Sequence, residues 1–230
     1  MKRIIPILLL KDRLLYKTIN FQSETYIGDP FVALKIFNEK EVDELVVLDI
    51  NKSSIEPDFD FLNQLASEAF MPLSYGGGIN CIDTAEKIFR IGFEKVVINS
   101  ANINDFSLIE SISSRFGNQS VVCCVDYNIN FFGKRICTFN NGRNSINTKI
   151  SDFIKKAIEA GSGEIMLQCI NYEGKMEKMY IEFIKEVVKS CPVPVIGTGG
   201  ASSYQYISDF FKKTNASAIA AGSIFVYHGP

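Results

Sequence analysis

The chain contains no tryptophan and a single histidine, and its 24 Lys and Arg nearly balance 26 Asp and Glu, for a formal net charge of −2. Each shortage removes a class of function. His228 lies at the open chain end beside Gly229-Pro230, and with no second histidine the sequence offers neither a Ser-His-Asp triad nor a histidine metal site. The carboxylates are scattered singly, so a metal cage is not expected either. No basic excess provides a phosphate-backbone footprint, which argues against nucleic acid as a partner. No apolar run approaches the roughly 20 residues that a membrane-spanning helix needs, so no membrane partner is expected. The six cysteines show no CxxC pairing and several fall in apolar strand contexts, as expected of reduced, buried thiols in a cytoplasmic protein. The opening Ile4–Leu10 run is cut short by Lys11-Asp12-Arg13 and lacks a small-residue cleavage site. It reads as a buried strand rather than a signal peptide.

What the chain does have is a repeated unit. Tyr75-Gly76-Gly77-Gly78-Ile79 precedes Asn99-Ser100-Ala101, and Gly197-Thr198-Gly199-Gly200-Ala201 precedes Ala221-Gly222-Ser223 with the same internal spacing. Each unit ends an apolar strand in bare backbone and small residues. Glycine lets backbone N–H groups approach an anion closely, and a following helix start adds a favourable dipole. Gly77, Gly78, Asn99 and Ser100 on one side, and Gly199, Gly200, Gly222 and Ser223 on the other, are therefore candidate phosphate sites. Two of them imply a ligand with a phosphate at each end.

Apolar runs of four to eight residues alternate with segments of helical periodicity, the pattern of a parallel sheet wrapped by helices. Strands are expected near 3–10, 44–50, 72–75, 95–99, 120–126, 164–169, 193–197 and 217–221. Helices are expected near 30–40, 60–69, 82–92, 105–115, 150–160, 178–190 and 203–213. Pro30 suits a first helical turn, and Asp83 and Asp105 stand where N-caps belong. The repeat also aligns Asp43–Asn51 with Gly163–Asn171 and sets Leu9 against Asp126. Two such halves, about 1–117 and 118–230, predict one (β/α)₈ TIM barrel with an internal two-fold repeat, its eighth helix short or absent. An open doubly wound sheet is the alternative, but it would not put two equivalent phosphate loops on one rim. The long connections 11–29 and 127–149 occupy equivalent places in the halves and are candidate lids over the active-site face.

In a barrel the reactive side chains project from the carboxyl ends of the strands. Asp126 ends the fifth strand and Glu173 follows the sixth, so the two could form an acid/base pair across the rim. The competing reading has Asp126 ordering the long loop and Glu173 solvated. Asp49 reads as a structural acceptor. Arg3, Glu44, Lys95 and Glu164 stand at the amino-terminal ends of strands one, two, four and six. There they can form a ring of alternating charge, which on position alone reads as stability.

Arg3-Ile4-Ile5, Lys17, Asp43–Ile50, Gly76–Ile79, Lys95–Asn99, Asp126, Gly163-Glu164-Ile165, Gly199-Gly200-Ala201 and Ala220–Phe225 together resemble the cyclase subunit of imidazole glycerol phosphate synthase, over essentially the whole chain. That resemblance implies a barrel that takes ammonia from a glutaminase subunit docked on its amino-terminal face. It implies that Arg3, Glu44, Lys95 and Glu164 guard the ammonia passage, and that the two glycine sites hold the substrate's phosphates. No cofactor is implied. The family's catalytic pair of aspartates, at the ends of strands one and five, is only half present. Asp126 holds one place, Leu9 stands in the other, and the family's Asp-x-Asp-Gly after strand six is Asn171-Tyr172-Glu173-Gly174.

Ile5–Lys11, Tyr26–Pro30, Phe37–Glu44, Phe70–Leu73 and Phe225–Pro230 resemble the family's acetamidino-modification branch, which is associated with surface polysaccharides. This second resemblance implies ammonia passed toward an acetamidino sugar, with a phosphorylated sugar or nucleotide-sugar as ligand and Asp126, helped by Glu173, as the surviving catalytic group. Activation of the acetamido group would fall to a separate ATP-dependent sugar amidotransferase, since no P-loop or other ATP motif occurs here. An ordinary cyclase of histidine biosynthesis, with Glu173 replacing the missing acid, is the first alternative. A scaffold that only docks and stimulates the glutaminase is the second.

Overall fold

The structure is a computed structural model that describes residues 2–51, 56–102, 105–177 and 180–227. Eight parallel strands close into a barrel. They are β1 (Arg3–Lys11), β4 (Leu45–Asp49), β5 (Leu73–Gly76), β6 (Lys95–Ile98), β7 (Val121–Ile129), β10 (Glu164–Cys169), β11 (Val195–Thr198) and β12 (Ala218–Ala221), in that order around the wall. The β12–β1 pairing, with Arg3 beside Ala218 and Pro6 beside Ala221, closes the ring. The expected TIM barrel is therefore what the chain forms.

Between the strands run α1 (Pro30–Glu39), α2 (Phe59–Ser67), α3 (Ile82–Ile91), α4 (Ser107–Phe116), α5 (Ile150–Glu159), α6 (Ile181–Ser190) and α7 (Tyr204–Thr214). Their sequences explain their placement: α5 buries Ile150, Phe153, Ile154 and Ala157, one stripe at helical spacing. Asp29 caps α1 by accepting from the amides of Phe31 (2.8 Å) and Val32 (3.2 Å), with Pro30 in the first turn. The expected caps of α3 and α4 shift. Cys81 caps α3 with Asp83 inside the first turn, while Asp105 precedes the cap Phe106 and accepts from Ser107 N at 2.9 Å. A five-residue helix, α8 (Ser223–Tyr227), follows β12, and 228–230, with His228, lie outside the described residues. No helix among the described residues is long and apolar enough to cross a membrane.

The core has two layers. Leu34, Leu62, Ile88, Ile109, Phe153, Ile184 and Phe210 pack the helices onto the outside of the barrel. Ile5, Ile7, Leu9, Val46, Val97, Val122, Cys124, Met166, Ile196, Ala218 and Ala220 fill its lumen.

The two long connections are not irregular loops. Residues 11–29 fold as a hairpin, β2 (Leu14–Ile19) with β3 (Gln22–Gly28), continuing antiparallel from β1. Residues 127–149 carry β8 (Arg135–Phe139) and β9 (Asn144–Ser145), antiparallel from β7. The turns explain why alternation alone did not reveal them. In the first hairpin the left-handed positions are Asp12, Arg13, Asn20 and Phe21, with φ of 49°, 65°, 53° and 60°, where a glycine would ordinarily signal the turn.

Candidate functional site

At the amino-terminal end of the barrel the four charged residues close on one another. Arg3 spans both carboxylates, Nη1 at 2.7 Å from Glu44 and Nη2 at 2.7 Å from Glu164. Lys95 Nζ spans the same pair from across the axis, at 2.9 and 2.8 Å. Ser74 donates to the remaining Glu44 oxygen at 2.8 Å. Burial works against each charge, but the mutual contacts prevail: the pKa of Arg3 is raised and that of Glu164 lowered. The ring seals the floor of the lumen with every charge answered. Above it the lumen is lined by aliphatic and small side chains, a medium that admits neutral ammonia far more readily than ammonium.

At the carboxyl ends of the strands the lumen opens into a cavity of about 1160 Å³. Both glycine loops line it, and their backbones show why glycine is needed. Gly77 and Gly78 have φ of 119° and 64°, Gly199 and Gly200 of 92° and 94°. A Cβ on Gly77 would lie 2.4 Å from the Asp49 carbonyl oxygen. Asn99 and Ser100 complete the first cradle, Gly222 and Ser223 the second. The eight residues expected to bind phosphate thus fall into two groups facing one cavity.

Asp126 sits on the cavity floor, 6% exposed. Burial is the main force on its carboxyl, lifting its pKa to about 7. Hydrogen bonds from the Asn99 amide and the Cys124 thiol (Sγ to Oδ1 3.6 Å) pull it down, and the charge of Glu173 pushes it up. A carboxyl divided between its two forms near neutral pH can both give and take a proton. Leu9 stands in the same lining, 9% exposed, beside Tyr16 of the hairpin and Leu48 of the next strand.

Glu173 is placed differently from a free acid. It is 6% exposed, its Oε1 accepts from Thr18 Oγ1 at 2.9 Å and its Oε2 from Phe21 N at 3.0 Å, while its carbonyl takes Asn20 N at 3.1 Å. Burial raises its pKa against these bonds and the charge of Lys17. Each oxygen accepts one bond that ties the first hairpin down, and each keeps a lone pair toward the cavity that Glu173 lines. Asn171 does the corresponding work for the second hairpin, accepting from Ile129 N at 2.6 Å and donating to Ile129 O at 3.2 Å. Asp49 is a structural acceptor, for Asn51 N at 2.9 Å and Tyr75 Oη at 3.3 Å.

Sequence reasoning gave no role to three residues that the structure puts in the cavity. Lys17 is 6% exposed, its pKa lowered by burial and held up in part by Glu173. Its Nζ lies so close to Gly222 that a Cβ there would be 2.5 Å away. Cys124 was legible by the two-residue period that sets it on the same face as Asp126. Gln168, at the end of β10, was legible by the same period, on the face of Glu164 and Met166.

A family model described as "Histidine biosynthesis protein" matches residues 3–229. The chain belongs to that family. It is 44% identical over 230 residues (99% of this chain, 92% of the relative) to a Pseudomonas aeruginosa protein named, as a provisional assignment, imidazole glycerol phosphate synthase subunit hisF2. A Leptospira interrogans protein with a similarly provisional name, subunit HisF, is 42% identical over 230 residues (99% of this chain, 91% of the relative). The Streptococcus sanguinis imidazole glycerol phosphate synthase subunit HisF, named without that reservation, is 34% identical over 228 residues (98% and 90%).

Proposed function

We propose that this barrel is the ammonia-accepting, synthase-type subunit of a glutamine amidotransferase of the imidazole glycerol phosphate synthase kind. The observation that carries the reading is the closed ring of Arg3, Glu44, Lys95 and Glu164 beneath an apolar lumen that opens on a two-cradle cavity. In this reading a glutaminase docks over the ring, one cation swings aside, and ammonia rises to a ligand held by a phosphate at each end. Lys95 is the cation suited to move: both cations touch both carboxylates, but Lys95 does so through one ammonium on a flexible stem, whereas Arg3 holds them with separate nitrogens of a planar guanidinium. Lys17 answers the anion in the second cradle, and Asp126 handles the proton.

The relatives' names favour formation of imidazole glycerol phosphate as the reaction, and none of them speaks of a sugar or a polysaccharide. One observation favours a second reading, in which ammonia goes on to an acetamidino sugar: Leu9 stands in the cavity lining where the family's ring-closing acid would be. The test offers the ribulosyl bisphosphate precursor to the purified protein, with ammonium salt and then with glutamine and its glutaminase. Conversion at a rate typical of a cyclase assigns histidine biosynthesis. Tight binding without conversion, together with stimulated glutamine hydrolysis, excludes the ordinary cyclase and leaves the second reading or a scaffold that only docks and stimulates the glutaminase. Neither binding nor stimulation would refute both.

A further inference from the structure

Each phosphate cradle stands after a strand that flanks the start of a hairpin. Gly222 follows β12, which pairs with β1, and Ser100 follows β6, which pairs with β7. The hairpin after β1 leans back over the second cradle and delivers Lys17 to Gly222. The hairpin after β7 leans back in the same sense over the first. There Asn140 N donates to Ser100 Oγ at 3.2 Å, and Ser100 Oγ lies 3.2 Å from Asn99 Oδ1. The turn that makes this contact runs through Asn140, Asn141 and Gly142, all left-handed, and Arg143 N closes it on the Asn140 carbonyl at 3.3 Å.

Arg143, an exposed residue, lines the cavity beside that cradle, and its guanidinium has no hydrogen bond or ion pair among the described residues. The other two cations in the described lining are accounted for. Lys11 pairs with Glu24, and Lys17 serves the second cradle against Glu173. The first cradle therefore has a glycine loop, an amide, a hydroxyl and one unanswered guanidinium.

We propose that Arg143 is the anion-binding cation of the first cradle, the counterpart of Lys17 in the second. This rests on the reading of both glycine loops as phosphate sites and adds a residue to the first of them, so that each end of a ligand with two separate phosphates meets its own cation. A nucleotide-sugar, whose two phosphates adjoin, engages only one of the two cations. A guanidinium presents a planar fork to a phosphate's oxygens, so its loss weakens one end of the ligand and not the other.

The test is a site-resolved NMR titration of the ¹⁵N-labelled full chain with inorganic phosphate at low ionic strength, following the amides of Gly78 and Ser100 and, separately, of Gly200 and Ser223. Arg143→Gln is expected to weaken the first pair of sites by about tenfold or more and to leave the second within about twofold. Arg143→Lys, which keeps the charge, is expected to recover part of the loss. Equal affinity at Gly78 in wild type and Arg143→Gln would overturn the assignment of Arg143 alone. No phosphate-dependent shift at either cradle in the wild type would overturn the reading of the glycine loops, and this proposal with it.

Discussion

Replacing Lys95 by Ala tests the ring where its arithmetic is clearest. In the wild type two carboxylates with side chains only 4% and 10% exposed face two cations, and each carboxylate touches both. Removing the ammonium leaves Glu44 and Glu164 to share Arg3. Breaking a buried ion pair by deleting one partner costs about 3–5 kcal/mol, and the remaining guanidinium and Ser74 set this case near 3 kcal/mol. At about 2–4 °C per kcal/mol for a chain of this size, Tm should fall by roughly 6–12 °C at neutral pH. The loss should also depend on pH. The depressed pKa of Glu164 contributes stability that is present above its unfolded value, about 4.3, and disappears as pH falls through the lower folded value. The gap between wild type and Lys95→Ala in calorimetry should therefore narrow as pH falls below about 4.3. In the reconstituted complex the same variant should uncouple glutamine-driven from ammonium-driven product formation. A Tm change under about 2 °C, or a gap that does not narrow in acid, would refute the account of the ring as a mutually satisfied network.

Two further outcomes follow from the cavity. Asp126, its folded pKa raised to about 7, contributes stability that is full below its unfolded value near 3.9 and is lost as pH rises through 7. In urea unfolding Asp126→Asn should therefore gain on the wild type by about 1.4 kcal/mol for every pH step of one between roughly 4 and 7, while losing catalysis; a constant difference across that range would contradict the buried titration. Gly222→Ala, whose Cβ would lie 2.5 Å from Lys17 Nζ and 3.1 Å from the Ile7 carbonyl oxygen, should displace the lysine and weaken phosphate at the second cradle by about tenfold, read at the Gly200 amide. Unchanged affinity there would remove Lys17 from that cradle.

The barrel and the placement of both glycine loops on one cavity were legible because they depend on features a single sequence displays: apolar runs at regular intervals, and glycines at the same spacing in both halves. The charged ring was legible as a set of positions, though its role came only from resemblance, since a bottom-face ring and a gate look alike in sequence. The hairpins went unread for different reasons. The first turns at Asp12-Arg13 and Asn20-Phe21 in left-handed conformations, without glycine, whereas the second carries left-handed Gly133 and Gly142, the latter after Asn141, a turn signal that was there to be read; contacts from Glu173 and Asn171 hold the two in place. That long-range anchoring is also why Glu173, which chain position alone leaves open as an acid, proves to have both oxygens engaged. Lys17 and Arg143 owe their places to those same hairpins, which is why neither could be assigned a cradle beforehand.

The account turns on how many free carboxylates the cavity floor offers, and turnover of the ribulosyl bisphosphate with ammonium salt measures this most directly. With Leu9 in place of an acid, wild-type conversion should be slow. Leu9→Asp should raise it by about a hundredfold or more, the ordinary worth of a placed proton-transfer group, and Asp126→Asn should abolish it. A wild type that turns over as fast as Leu9→Asp would assign the ordinary cyclase and contradict the reading in which Leu9 has displaced the ring-closing acid.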